Sequence, residues 1–238
     1  MANIALLIAG GSGVRMHQNI PKQFLTVNEN PVIVYTLEAF QKHPEIDAIA
    51  VVCIEGWESV LWAYANQFNI SKLKYVVPGG KNGQDSIRNG VFELEKHYSP
   101  DDLVLIHDAI RPMVSAEIIS DNIRVAKEKG NAIAVIPCAE AMIQTEDGIV
   151  SLGSYPRDRL KRTQTPQAFS IGKICDLHRR ALEAGITNSI ASCTLMIEMG
   201  EQVYFSAGSE KNIKLTTEED IDIFKALLAV KRSDWLKG

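Results

Sequence analysis

The sequence lacks the cysteine pairs that bind zinc or cycle between thiol and disulfide. Its four cysteines, Cys53, Cys138, Cys175 and Cys193, are widely spaced and form no CxxC pair. They read as free, mostly buried thiols in a reducing compartment. Cys and His spacing gives no zinc site, and the order of residues alone supports no Ser/His/Asp triad. Long apolar runs are also missing: Ile4–Ala9 and Ala132–Pro137 fall far short of the ~20 residues of a membrane span. The N-terminus has neither a basic n-region nor a cleavage-like site, so the expectation is a cytoplasmic protein without a membrane partner. There is no excess of basic charge. Lys and Arg number 25 against 29 Asp and Glu, a net charge of −4. The densest basic run is Arg159-Leu160-Lys161-Arg162, which speaks against a nucleic-acid partner. What remains is ordinary globular composition: 238 residues, 46% hydrophobic and 23% charged. That is enough for one large α/β domain, or two small ones, without disulfide or metal staples.

Short apolar runs alternate with longer helical patterns. Strands are expected at 4–9, 48–54, 75–78, 103–107, 132–137 and 203–206. Helices are expected at 31–42, 58–69, 86–97, 115–129, 171–184, 192–199 and 218–230. Ser115 is an N-cap candidate, Gly130 a helix stop, and Thr216 and Thr217 caps for the last helix. The continuous apolar strands and βαβα order predict an α/β fold, a doubly wound, mostly parallel sheet. The rhythm breaks between Cys138 and Phe169. There Asp147-Gly148 signals a hairpin between 141–145 and 149–152, an antiparallel arm leaving the sheet. With no repeat or linker, residues 1–238 read as a single domain with one excursion.

In such a sheet, ligands bind beyond the carboxyl ends of the strands. Four polar loops fall there. The first follows the opening strand: Ala9-Gly10-Gly11-Ser12-Gly13-Val14-Arg15-Met16, then Pro21-Lys22-Gln23-Phe24. Glycines after a strand let backbone N–H groups reach phosphate oxygens, and Arg15 and Lys22 add cations. A Rossmann dinucleotide fingerprint would need Gly or Ala at Met16, and Walker A would need Gly-Lys before Ser or Thr. A nucleotidyltransferase loop is the reading that fits. The second loop is Gly79–Ser86. The third, His107-Asp108-Ala109-Ile110-Arg111-Pro112, ends a buried strand on a lone carboxylate, suited to a hard divalent cation on phosphates. His107 reads as a packed, hydrogen-bonded histidine. The fourth loop surrounds Lys214.

Together AGGSGVRM…PKQFL, HDAIRP, QTPQAF and NIKLTTEEDI resemble the cytidylyltransferases that make CDP-alditols, from about Asn3 to Leu227. The resemblance implies a Rossmann-like nucleotidyltransferase fold and transfer of CMP from CTP to an alditol phosphate, with release of pyrophosphate. It implies a homodimer formed by exchange of the arm, residues 138–163. Carried over residue by residue, Ala9, Gly10, Gly11 and Gly13 would wrap the CTP phosphates, and Gly80 and Ser86 would contact cytosine and ribose. Arg15, Lys22 and Lys214 would be the catalytic cations. Asp108 would bind Mg²⁺, with Arg111 supporting that loop. Arg157 would reach the alditol phosphate of the neighbouring subunit.

Some positions depart from the family. Glu140-Ala141 stands for the usual Asp-Thr, Ala191 for an Asp, and Gly83 for a frequent Arg. Trp57 and the ungapped match from Cys193 to Thr217 lean toward the ribitol 5-phosphate branch, with 2-C-methyl-D-erythritol 4-phosphate as the alternative. A non-catalytic CTP-binding protein and a nicotinamide-dependent reductase are readings from other classes.

Overall fold

β1 (Asn3–Ala9) is buried along both faces and lies in the interior of the main sheet. A computed structural model describes residues 1–11 and 20–230. Downstream of β1 come the short β2 (Thr26–Val27) and β3 (Asn30–Pro31), α1 (Val32–Lys42), β4 (Ala48–Cys53), α2 (Glu58–Gln67) and β5 (Leu73–Pro78). Then follow α3 (Gly83–Glu95), β6 (Leu103–Asp108), α4 (Ala116–Lys129) and β7 (Asn131–Pro137). A hairpin of β8 (Met142–Gln144) and β9 (Gly153–Tyr155) precedes β10 (Lys161–Ser170). The chain continues through α5 (Ile171–Glu183), α6 (Ser192–Glu198), β11 (Phe205–Ala207) and α7 (Glu218–Val230).

Seven strands form one sheet in the order β11-β7-β10-β6-β1-β4-β5, all parallel except β10, which runs antiparallel to both neighbours. Alternation along the strands sorts side chains into two layers. Ala5, Leu7, Ile49, Val51 and Leu105 pack with α1, α2 and α4 on one face. Ile4, Leu6, Ala50, Val52, Val104 and Ile106 pack with α3, α5 and α6 on the other. The doubly wound architecture expected from the apolar runs is the one observed.

Several ends follow their caps. Ser115 Oγ accepts the Ile118 N–H at 3.4 Å, and Gly130 closes α4 at φ 89°. Thr217 Oγ1 accepts the Asp220 N–H at 3.3 Å, while Asp220 in turn accepts both Thr216 and Thr217 N–H groups. α3 starts three residues earlier than its apolar periodicity suggests. Asn82 caps it by accepting the Asp85 N–H at 2.9 Å, so Gly83 lies inside the first turn.

The break between Cys138 and Phe169 resolves into two different structures. Met142–Gln144 pairs with Gly153–Tyr155, a wider loop around Asp147-Gly148 than the expected two-residue turn. Asp147 Oδ1 accepts the Ile149 and Val150 N–H groups and shapes that loop. Residues 161–170 are a sheet strand that the pattern does not predict. Lys161–Thr163 pair with Pro137–Val135, the register shifts between Thr163 and Gln167, and Pro166 sits within that irregularity. The missing proline N–H therefore interrupts no regular ladder.

His178 on α5 is 1% exposed, and neither ring nitrogen has a hydrogen-bond partner among the described residues. Burial, aided by the nearby Arg88 charge, pushes its pKa down to about 4. An unfolded imidazole takes up a proton below about pH 6.5, whereas the folded one stays neutral to about pH 4. Stability held by neutral His178 is therefore complete above pH 6.5 and declines as pH falls toward 4. Between pH 7 and pH 5 the loss should be about 2 kcal/mol. Urea midpoints at both pH values should show at least this loss, since buried His107 titrates in the same direction, and His178→Leu should have a pH dependence shallower by the His178 share. An unchanged slope in the variant would contradict the assignment.

Candidate active site

Two glycine turns meet at the carboxyl ends of β1 and β5. A Cβ on Gly10 would lie 3.2 Å from Ser86 Oγ and 3.4 Å from Gly79 Cα. One on Gly80 would lie 2.4 Å from Asp85 Cβ, so no other residue fits that turn. Ser86 Oγ accepts the Gly80 N–H at 3.0 Å and donates to the Asn82 carbonyl at 2.9 Å, which fixes the turn against the start of α3.

Lys22, Gln23 and Phe24 form a single 3₁₀ turn. Phe24 is buried and stacks on Trp57 with ring centroids 4.6 Å apart, so the turn stands on a rigid support. Gln23 is 1% exposed, and its Nε2 donates to the carbonyls of Ala9 at 2.7 Å and Gly11 at 3.1 Å.

At the end of β6, Asp108 faces two cations. Arg111 Nε donates to Oδ2 at 3.0 Å and Lys214 Nζ to Oδ1 at 3.2 Å. Burial works against the carboxylate, but the Lys214 and Arg111 charges outweigh it and hold the carboxyl below its usual range. Arg111 Nη1 also donates to the Asn212 carbonyl at 2.7 Å, which ties the Lys214 segment to this loop.

His107 has one chemically consistent tautomer. Its Nε2 lies 3.2 Å from the Arg111 carbonyl, which can only accept, so Nε2 carries the hydrogen. Nδ1 then accepts from Thr165 Oγ1 at 3.0 Å, and that hydroxyl accepts the Asp108 N–H at 3.0 Å. Burial pushes the His107 pKa down to about 4, in keeping with a neutral ring. The hydrogen-bonded role expected of His107 is the one found.

These loops surround one cavity of about 550 Å³. It brings together Ala9, Gly10, Gly11, Lys22, Gly80, Ser86, Asp108, Arg111 and Lys214 from the sequence reading. Gly13 and Arg15 lie outside the described residues. Arg157 does not line the cavity. It sits on the arm, where Nη1 donates to the Ala139 carbonyl at 2.9 Å. Gly83 and Ala191, two of the departing positions, do line it.

The sequence reading missed the buttresses. Gln23, Gln164, Thr165 and Asn212 each hold a loop through contacts distant in sequence. Asn212 Nδ2, for example, donates to the Thr165 carbonyl at 2.9 Å. Lys81 is a further cation of the wall. Among the described residues the wall carries Lys22, Lys81, Arg111 and Lys214 against the single acid Asp108. A chain of net charge −4 thus concentrates positive potential at one point, as a site for polyanions requires.

The sequence pattern of the 2-C-methyl-D-erythritol 4-phosphate cytidylyltransferase family matches residues 3–230. The chain is 43% identical over 229 residues to a ribitol-5-phosphate cytidylyltransferase of Lacticaseibacillus paracasei, covering 95% of this chain and 98% of that one. It is 36% identical to a 2-C-methyl-D-erythritol 4-phosphate cytidylyltransferase of Clostridium botulinum, covering 95% and 97%. In three dimensions it matches the 4-diphosphocytidyl-2C-methyl-D-erythritol synthase of Anaerococcus prevotii with a TM-score of 0.81 at 26% identity, covering 96% of each chain.

Proposed function

From the membership of this chain in the 2-C-methyl-D-erythritol 4-phosphate cytidylyltransferase family, we propose that it transfers CMP from CTP to ribitol 5-phosphate. The observation that carries the chemistry is the single cavity in which Asp108, Arg111 and Lys214 stand with the Gly10–Gly11 turn and Lys22. The acceptor is chosen on the greater identity to the ribitol-5-phosphate enzyme, 43% against 36%. That lower identity and the family pattern support a second reading, 2-C-methyl-D-erythritol 4-phosphate.

The acceptor's phosphate monoester has a second pKa of about 6 and is largely dianionic at neutral pH, so it attacks without a protein base. Its oxygen forms the new bond to the α-phosphorus of CTP as the α–β bridging bond breaks, and pyrophosphate leaves with that electron pair. The protein's work is to hold two polyanions in line and neutralise charge. Lys22, Arg15 and Lys214 take that role in our reading. The Lys214 side chain is 44% exposed and can turn from Asp108 to a phosphate.

Mg²⁺ belongs to the proposal. The ionised Asp108 fits a cation held chiefly by phosphate oxygens, since among the described residues no three acidic, His or Cys side chains converge. Bound there, it would offset triphosphate charge. We also place the enzyme in the cytoplasm as a homodimer whose arms exchange. Free Cys53, Cys138, Cys175 and Cys193 support the first. Exposed Ile143, Ile149, Val150 and Leu152 on the arm, and an Arg157 away from its own cavity, support the second. Among the described residues no helix is long and apolar enough to cross a membrane.

The test is pyrophosphate release on mixing with CTP, Mg²⁺ and ribitol 5-phosphate. CTP binding without release would favour a non-catalytic nucleotide binder. In our reading the short, glycine-rich loop at Gly79–Ser86, with its tight turn at Gly80, takes a pyrimidine rather than a purine. CTP should exceed ATP in kcat/KM by about 100-fold and should also be preferred to UTP. Comparable values for ATP would refute the assignment of that loop.

A further inference from the structure

Gly10 and Gly11 open the loop that faces the phosphates, and glycine leaves peptide orientation poorly fixed by its own dihedral preferences. A peptide plane there can turn its N–H or its carbonyl oxygen toward a ligand. Only the N–H is useful to a triphosphate, because a carbonyl oxygen repels it. Something outside the loop must choose.

Gln23 is built to make that choice. Its buried side-chain amide meets two carbonyls, Ala9 at 2.7 Å and Gly11 at 3.1 Å. Both partners can only accept, so chemistry alone places the NH₂ end there, and its two hydrogens match two acceptors. The Ala9 carbonyl also accepts the Ile54 N–H at 3.2 Å, so the sheet takes one lone pair and Gln23 the other. In a trans peptide the N–H points opposite to the C=O, so holding the Ala9 carbonyl turns the Gly10 N–H away from Gln23. The same residue joins the start of the loop to Lys22, its own chain neighbour, across the residues between them.

We propose that Gln23 is a positioning residue, clamping the Ala9 and Gly11 carbonyls so that the Gly10–Gly11 turn presents the Gly10 N–H to the CTP phosphates. This rests on the cytidylyltransferase reading for the identity of the ligand. Gln23 contacts no reacting atom in this role, and its effect is on the nucleotide half of the site alone.

The experiment compares the wild type with Gln23→Met, which keeps the length without a donor, and Gln23→Glu, which sets a carboxylate against two carbonyls. Titration with CTP and Mg²⁺ should give Kd values raised roughly 10- to 100-fold in the Met variant and further in the Glu variant. The KM for ribitol 5-phosphate should stay within about twofold of the wild type. Should Gln23→Met fail to fold, Gln23→Asn, whose amide is too short to span both carbonyls, should show the same split. A CTP Kd within about twofold of the wild type would overturn the proposal. So would equal losses for CTP and acceptor together with a collapsed Tm, which would mark a merely structural residue. If the wild type binds CTP but transfers CMP to no polyol phosphate, the functional reading fails, and the CTP titrations still judge Gln23.

Discussion

Replacing Lys22 by alanine should lower kcat roughly 10²–10³-fold while weakening CTP binding far less. Lys22 opens a turn fixed by the stacking of Phe24 on Trp57, so its ammonium group is presented from a rigid base. Charge builds on the α-phosphate and on departing pyrophosphate only during transfer, and a preorganised cation gains most at that moment. Lys81, Arg111 and Lys214 remain in the wall of the variant to hold the ground-state triphosphate. The same outcome is expected of Arg15→Ala. Steady-state kinetics with a separate CTP titration decides the point. A raised KM with unchanged kcat would mean that Lys22 binds substrate and transition state alike.

Mixing an Arg157→Ala protein with a Lys22→Ala protein, each nearly inactive alone, should restore about a quarter of wild-type activity after random subunit exchange. Half of the dimers are then mixed, and in each one site carries both defects and the other neither. The prediction follows from the arm. Among the described residues its hairpin strands pair only with each other and leave Ile143 and Leu152 exposed, and a lone two-stranded hairpin is marginal in water. In the proposed dimer a second subunit would supply the missing surface. No recovery on mixing, or a monomer at working concentration in sedimentation, would contradict arm exchange.

What the sequence revealed, and what it hid, follows the range of the forces involved. β1, β4 and β6 announce themselves because strands buried on both faces must be apolar throughout. The loops after β1 and β6 could be placed because each follows such a strand, whereas β5 and β11, which precede the other two, are only partly buried. β10 stayed hidden for the opposite reason: Lys161–Ser170 is polar, contains Pro166, and earns its place only by pairing with β6 and β7. The start of α3 was blurred by Gly83, a poor helix former stabilised by the Asn82 cap. In the site, residues carrying charge or glycine freedom were legible singly. Gln23, Thr165 and Asn212 were not, because each acts through partners that only the fold brings near. HDAIRP and NIKLTT were recognised separately, yet they form one unit in which Arg111 joins Asp108 to Asn212. The acceptor side is read least directly. Ala191 lines the cavity beside an Ile190 that is 95% exposed, and neither side chain offers a hydrogen bond to a polyol.

Competition between the two acceptors is therefore the most direct test of the enzyme's activity. Ribitol 5-phosphate and 2-C-methyl-D-erythritol 4-phosphate, supplied together in equal amounts with CTP and Mg²⁺, should yield CDP-ribitol as the main product by mass spectrometry, with pyrophosphate released in step. Predominant formation of the methylerythritol product, or binding of CTP without either product, would contradict the proposed reaction.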